Sequence, residues 1–188
     1  MFQAPKNLFM HSEFIKDLNL ATEEVKNTFS GLSGQNLNWK TDPAKWSIAQ
    51  ILHHIIVSNE KYFPQFDQII SGKKKNSFSQ NFFLTHLFGK WLLKTVSREI
   101  KMKMKTPLVF YPSNSPFDQK IISDFVEHQK KMESYIVRIS AVNFSKNRVS
   151  SPALKVFSFS VPDCFCLLIN HEFRHIKQAK NLLKSMPQ

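Results

Sequence analysis

Acidic side chains are scarce in this sequence. Fourteen Asp and Glu face 26 Lys and Arg over 188 residues, leaving a formal charge of +12. Glycine is scarcer, at four, and so few glycines argue against an all-β fold rich in tight turns. No apolar run reaches the roughly 18 residues that a membrane span needs. The opening Met1-Phe2-Gln3-Ala4-Pro5-Lys6 lacks the charged-then-apolar pattern of a secretory signal, so a cytoplasmic location is the expectation. There are two cysteines, Cys164 and Cys166. Two residues apart on a helix they point in different directions, which predicts buried free thiols and no disulfide. Also missing are Gly-X-Ser-X-Gly, a phosphate-cradling glycine loop and a Cys–His pair of recognised pattern. Their absence argues against the nucleophile-elbow hydrolases and the P-loop enzymes.

The chain is 42% hydrophobic and carries 18 Phe, enough for an aromatic core in one domain spanning 1–188. The basic excess is uneven. Between Gly72 and Lys105 nine Lys or Arg meet one acid, Glu99, and Phe82, Phe83, Phe88 and Trp91 are interleaved with them. Such a segment can lie on an anionic membrane or stack on single-stranded nucleic acid. The plainer expectation is an insertion, about 73–105, whose apolar face caps the core while its lysines stay solvated.

Four stretches read as long helices. The first runs from a cap at Ser12 to Phe29, with Ile15, Leu18, Val25 and Phe29 at helical spacing. Gly31 and Ser33-Gly34 end it, and a polar connector follows to Lys45. The second opens on Trp46-Ser47-Ile48-Ala49-Gln50-Ile51, a capping box with Ser47 as cap and Gln50 reaching back. It continues to Ile70 with a kink expected at Pro64. On a helical wheel His54 falls at the edge of its apolar stripe and His53 on the solvent side. The third opens on Ser115-Pro116-Phe117-Asp118. It buries Ile122, Phe125, Gln129, Met132, Ile136 and Ile139, with His128 beside that stripe. Residues 143–159 read as irregular.

The last helix opens on Ser160-Val161-Pro162-Asp163. Cys164, Leu168, His171, His175, Gln178 and Leu182 then follow at steps of four and three, an inward seam. Two imidazoles in a seam need partners for their nitrogens. One turn apart, they can share a metal ion. Glu172 and Arg174 fall off the seam and are expected at the surface. His171-Glu172-Phe173-Arg174-His175 also matches the zinc-protease helix pattern literally, but no His, Glu or Asp follows it as a third ligand.

Trp46-Ser47 with His54 eight residues on, and His171-X-X-X-His175 followed by Gln178, together resemble the DinB/YfiT-like superfamily. The resemblance covers the whole chain in order and implies an all-α four-helix bundle. It also implies a divalent transition metal, zinc or nickel, held by His54, His171 and His175. Some members of that superfamily are metal-dependent transferases, isomerases or hydrolases that use low-molecular-weight thiols, and dimers are common. A three-histidine metal with an open position can lower the pKa of a bound water or thiol, and Gln178 is placed to orient a ligand. The expectation is therefore a metal-dependent hydrolase or thiol transferase acting on a small substrate. A non-catalytic stress-response or binding module with a structural metal is the alternative.

Overall fold

The computed structural model describes residues 4–74, 106–114, 116–144, 146–154 and 157–187. The basic segment from 75 to 105, most of the expected insertion, lies outside the described residues, as does Ser115.

The described chain is mostly helical, in keeping with the all-α expectation. Helix α1 spans Ala4–Phe29, beginning well before the cap expected at Ser12. Leu18, Ala21, Val25 and Phe29 are buried along it. The connector expected after it contains a short helix, α2 (Gly34–Asn38), because Ser33 accepts from the Asn36 backbone N–H and caps it. Helix α3 (Ile48–Glu60) starts on the expected capping box: Ser47 Oγ accepts from Gln50 N, and Gln50 Oε1 accepts from Ser47 N. Where one kinked helix was expected, the chain breaks at Lys61–Tyr62 and resumes as α4 (Phe63–Ile70). Pro64 sits in the first turn of α4, where its missing N–H costs nothing. Gly72 follows with φ 69°, a left-handed turn that glycine adopts without strain.

After a 3-10 turn at Leu108–Phe110 comes α5 (Lys120–Ser140). It begins later than its Pro116 signal suggests, with Asp118 Oδ1 accepting from Lys120 N at the entry. The stretch expected to be irregular holds a two-stranded antiparallel hairpin, β1 (Arg148–Ser150) and β2 (Ser158–Ser160), with Val149 opposite Phe159. Both of those side chains are buried. Ser160 then caps α6 (Val161–Lys184), accepting from Asp163 N, with proline and an acid in the first turn as expected.

Helix α1 packs on α5 and α6, and α3 packs on the same two helices from the other side. The interior divides into two apolar clusters. One gathers Ile48, Ile51, Leu52 and Ile55 of α3 with Ile121, Ile122 and Phe125 of α5, and Ile176 and Ala179 of α6. The other gathers Tyr62 and Phe66 with Met132, Ile136 and Ile139, and Cys164, Phe165, Leu168 and Ile169. Burying a side chain such as Phe66 or Phe125 stabilises by roughly 1.5–3 kcal/mol. A small cavity between α1, α5 and α6 is lined by His11, Phe14, Phe144 and Phe165; none of the helix histidines described next borders it. Among the described residues no helix is long and apolar enough to cross a membrane.

Candidate metal centre

His54 projects from the second turn of α3, a helix whose entry is fixed by the capping box and by Trp46, which packs on its apolar face. His171 and His175 project from α6 one turn apart, facing α3. The three rings converge: centroids lie 5.1 Å apart for His54–His171, 4.6 Å for His54–His175 and 4.4 Å for His171–His175. One nitrogen from each lies within 4.8 Å of the other two. His54 Nε2 and His171 Nε2 are 3.3 Å apart. A tetrahedral ion with bonds of about 2.0–2.1 Å to nitrogen sets its ligands about 3.4 Å apart. The donor set therefore fits a divalent transition ion.

The far sides of two rings are already committed. His54 Nδ1 donates to the Phe110 carbonyl at 2.6 Å. His175 Nδ1 donates to Gln178 Oε1 at 2.9 Å. Each acceptor can only accept, so the proton belongs on Nδ1 and the Nε2 lone pair is left for the cluster. Gln178 itself is exposed, a correction to its place in the inward seam, yet it orients His175 from outside. His171 and His175 are half-buried, and His54 is 2% exposed.

All three rings are held neutral. Burial lowers His54 below the ordinary 6.5, against the pull of its bond to Phe110. Burial, then His175, His54 and Arg174, push His171 well below it. Burial and His54 bring His175 to about 3, although its bond to Gln178 works the other way. Neutral imidazoles gathered this closely can serve together as ligands for a cation.

The neighbouring wall is aromatic. The Trp46 ring lies 4.7 Å from His54, and Tyr111 meets Trp46 edge-on at 5.9 Å. His53 stands apart, its Nδ1 accepting from Ser113 N and its ring against Phe117. The wheel's preference for His54 over His53 matches where the structure puts the two rings.

Glu172 corrects the sequence expectation most sharply. It is fully buried, not at the surface. Its Oε1 accepts from Asn59 Nδ2 at 2.6 Å and its Oε2 from Gln129 Nε2 at 2.7 Å. Burial raises its carboxyl to about 7, with both bonds pulling downward. Both oxygens are thus engaged away from the histidines, so the arrangement is not that of a zinc protease, whose glutamate serves the metal's ligand. Asn59 Nδ2 also lies 3.0 Å from His128 Nε2, and Phe63 stacks on the His128 ring. Burial takes His128 down to about 3. Sequence reasoning placed Gln129 inward and His128 beside it. It missed Asn59 and Glu172, and the Phe110 carbonyl has no side-chain signal at all. The cysteines are free as expected, Cys164 buried and Cys166 half-buried.

No curated protein and no solved structure gives a significant match to the chain. A family model does. The model of the DinB superfamily matches residues 17–179, which takes in all three histidines of the cluster. The chain belongs to the DinB superfamily.

Proposed function

We propose that this DinB-superfamily protein is a metal-dependent enzyme of hydrolase or thiol S-transferase type, built on a four-helix bundle. His54, His171 and His175 hold one divalent transition ion, zinc or nickel, and the substrate is a small molecule such as a low-molecular-weight thiol. The observation that carries this reading is the convergence of three neutral imidazoles, two of them with Nδ1 tied back so that Nε2 faces the others. Three protein ligands leave an open position, where such an ion supplies Lewis-acid activation of an oxygen or sulfur ligand. The protein's part is to hold that position. Gln178 and the Phe110 carbonyl fix ring orientation, and Trp46 with Tyr111 forms an apolar wall against which the carbon part of a conjugate packs. The net charge of +12 raises the local concentration of anionic substrates.

The test is turnover. Protein loaded with zinc or nickel is assayed for thiol conjugation and for ester and amide hydrolysis, beside His175→Ala. Metal-dependent turnover that the variant loses supports the enzyme. A second reading is favoured by the placement of the ligands on two different helices: an ion bridging α3 and α6 also staples the fold. In a non-catalytic module chelation lowers the melting temperature, and no turnover appears with any metal.

A further inference from the structure

The two apolar clusters are separated by a layer of buried polar side chains. On α3, α5 and α6 a buried polar residue marks the break; α1 crosses it directly from Leu18 to Ala21. Helix α3 gives Ile55 to one cluster, and Tyr62, just beyond its end, belongs to the other; Asn59 lies between. Helix α5 gives Phe125 to one and Met132 to the other, with His128 and Gln129 between. Helix α6 gives Ile169 to one and Ile176 to the other, with Glu172 between. Asn59 and Glu172 are 0% exposed, His128 2% and Gln129 4%. The Glu172 carboxylate joins all three helices, through Asn59 on α3 and Gln129 on α5.

As plain stabilisation this layer is poor. Asn59 Oδ1, His128 Nδ1 and Gln129 Oε1 are buried and find no partner among the described residues. Each such orphan carries a desolvation penalty, and an apolar layer of equal volume would avoid it. What an apolar layer lacks is a fixed register. If α6 slid by one turn, the Glu172 carboxylate would enter one of the apolar clusters with both oxygens unpaired, a costly state. Glu172 is next to His171, and Asn59 is five residues beyond His54 on α3. The polar layer and the histidine cluster therefore lie on the same two helices, no more than about a turn and a half apart.

We propose that Glu172, Asn59 and Gln129 form a register key: positioning residues that hold α6 level with α3 so that His171 and His175 meet His54. This rests on the metal-centre reading and adds to it a residue on α5, a helix that contributes none of the three ligands. An effect of Gln129 on the metal must pass through Glu172.

Cobalt(II) titration of the full chain tests the key, reading the dissociation constant and the visible d–d absorption that reports ligand geometry. Three proteins are compared: wild type, Gln129→Leu, and Ile139→Ala. The last lies on the same helix in the cluster away from His54 and lowers stability without touching the key. The key predicts that Gln129→Leu weakens cobalt binding about tenfold, as loss of a group that orients a ligand does, and alters the absorption. Ile139→Ala should bind as wild type does. Unchanged affinity and spectrum in Gln129→Leu overturn the proposal, and so does an equal loss in Ile139→Ala. If the leucine variant does not fold, Gln129→Asn replaces it with the same two readings, since it keeps the amide but draws it back by one methylene. A wild type that binds no cobalt overturns the metal reading, and the key falls with it.

Discussion

Helix α6 carries two polar groupings side by side, His171 and His175 lying about 100° and 60° around the axis from Glu172, and they are built on opposite logic. At Glu172 donors meet an acceptor: two amide N–H groups close on two carboxylate oxygens. In the histidine cluster His54 and His175 both present acceptors, because their Nδ1 protons are spent on Phe110 and Gln178. The first satisfies its charged member, the Glu172 carboxylate, wholly within the protein. The second turns the free Nε2 atoms of His54 and His175 toward His171, a set that could hold a cation. The balance of donors and acceptors, more than burial or residue type, separates a fastener from a site.

Substitution on each side should therefore break different things. His171→Ala has the largest expected effect. It should weaken zinc or cobalt binding roughly a thousandfold, about a third of the binding free energy typical of a zinc held by protein side chains, as titration calorimetry would show. The stability of the metal-free protein should hold or rise. Glu172→Ala should do the reverse to stability, costing about 3 kcal/mol in urea unfolding of metal-free protein, because two buried amides lose their acceptor.

Acid separates the two groupings further. The lowered pKa values of His54, His128, His171 and His175 mean that the unfolded chain binds more protons than the folded one below pH 6.5. Metal-free stability should thus fall as pH drops through 6.5 toward 3, by an amount on the order of 2 kcal/mol at pH 5 for each of His128 and His175, whose values lie near 3. Glu172, raised to about 7, opposes this. The folded state keeps its proton between about pH 4.5 and 7 where the unfolded chain has lost it, so its contribution grows as pH falls. Glu172→Gln removes the opposing contribution, and the acid loss of stability should steepen.

Smaller effects follow at the rim. Gln178→Ala should weaken metal binding about tenfold by freeing the His175 ring, with little change in melting temperature because Gln178 is exposed. His53→Ala should leave metal affinity unchanged and cost less than about 1 kcal/mol, since His53 bonds to Ser113 and stands outside the cluster.

How much of this was legible in the sequence depended on how local each signal is. The Ser47–Gln50 box and the Ser160–Asp163 start are contacts over three residues, and both were readable. So was the α5 stripe from Ile122 to Ile139, because a period of 3.6 declares its face. The histidine trio was readable by joining the α6 seam to the Trp46-Ser47 motif. Glu172 was not, because a carboxylate beside a histidine looks like a solvated face, and its partners are 43 and 113 residues away in sequence. One sign was present: Gln129 stands in an apolar stripe between Phe125 and Met132, and a buried amide there demands a partner. The β1–β2 hairpin was missed because three-residue strands carry too little alternation to register. The early start of α1 was missed because Ser12 offers a cap that the helix does not use.

The central claim is that His54, His171 and His175 share one ion. A crystal grown with zinc, with data collected on both sides of the zinc absorption edge, tests it most directly. The account predicts one anomalous peak per chain within bonding distance of the Nε2 atoms of all three histidines. The absence of a peak there, or a zinc bound elsewhere with the three rings left apart, would contradict it.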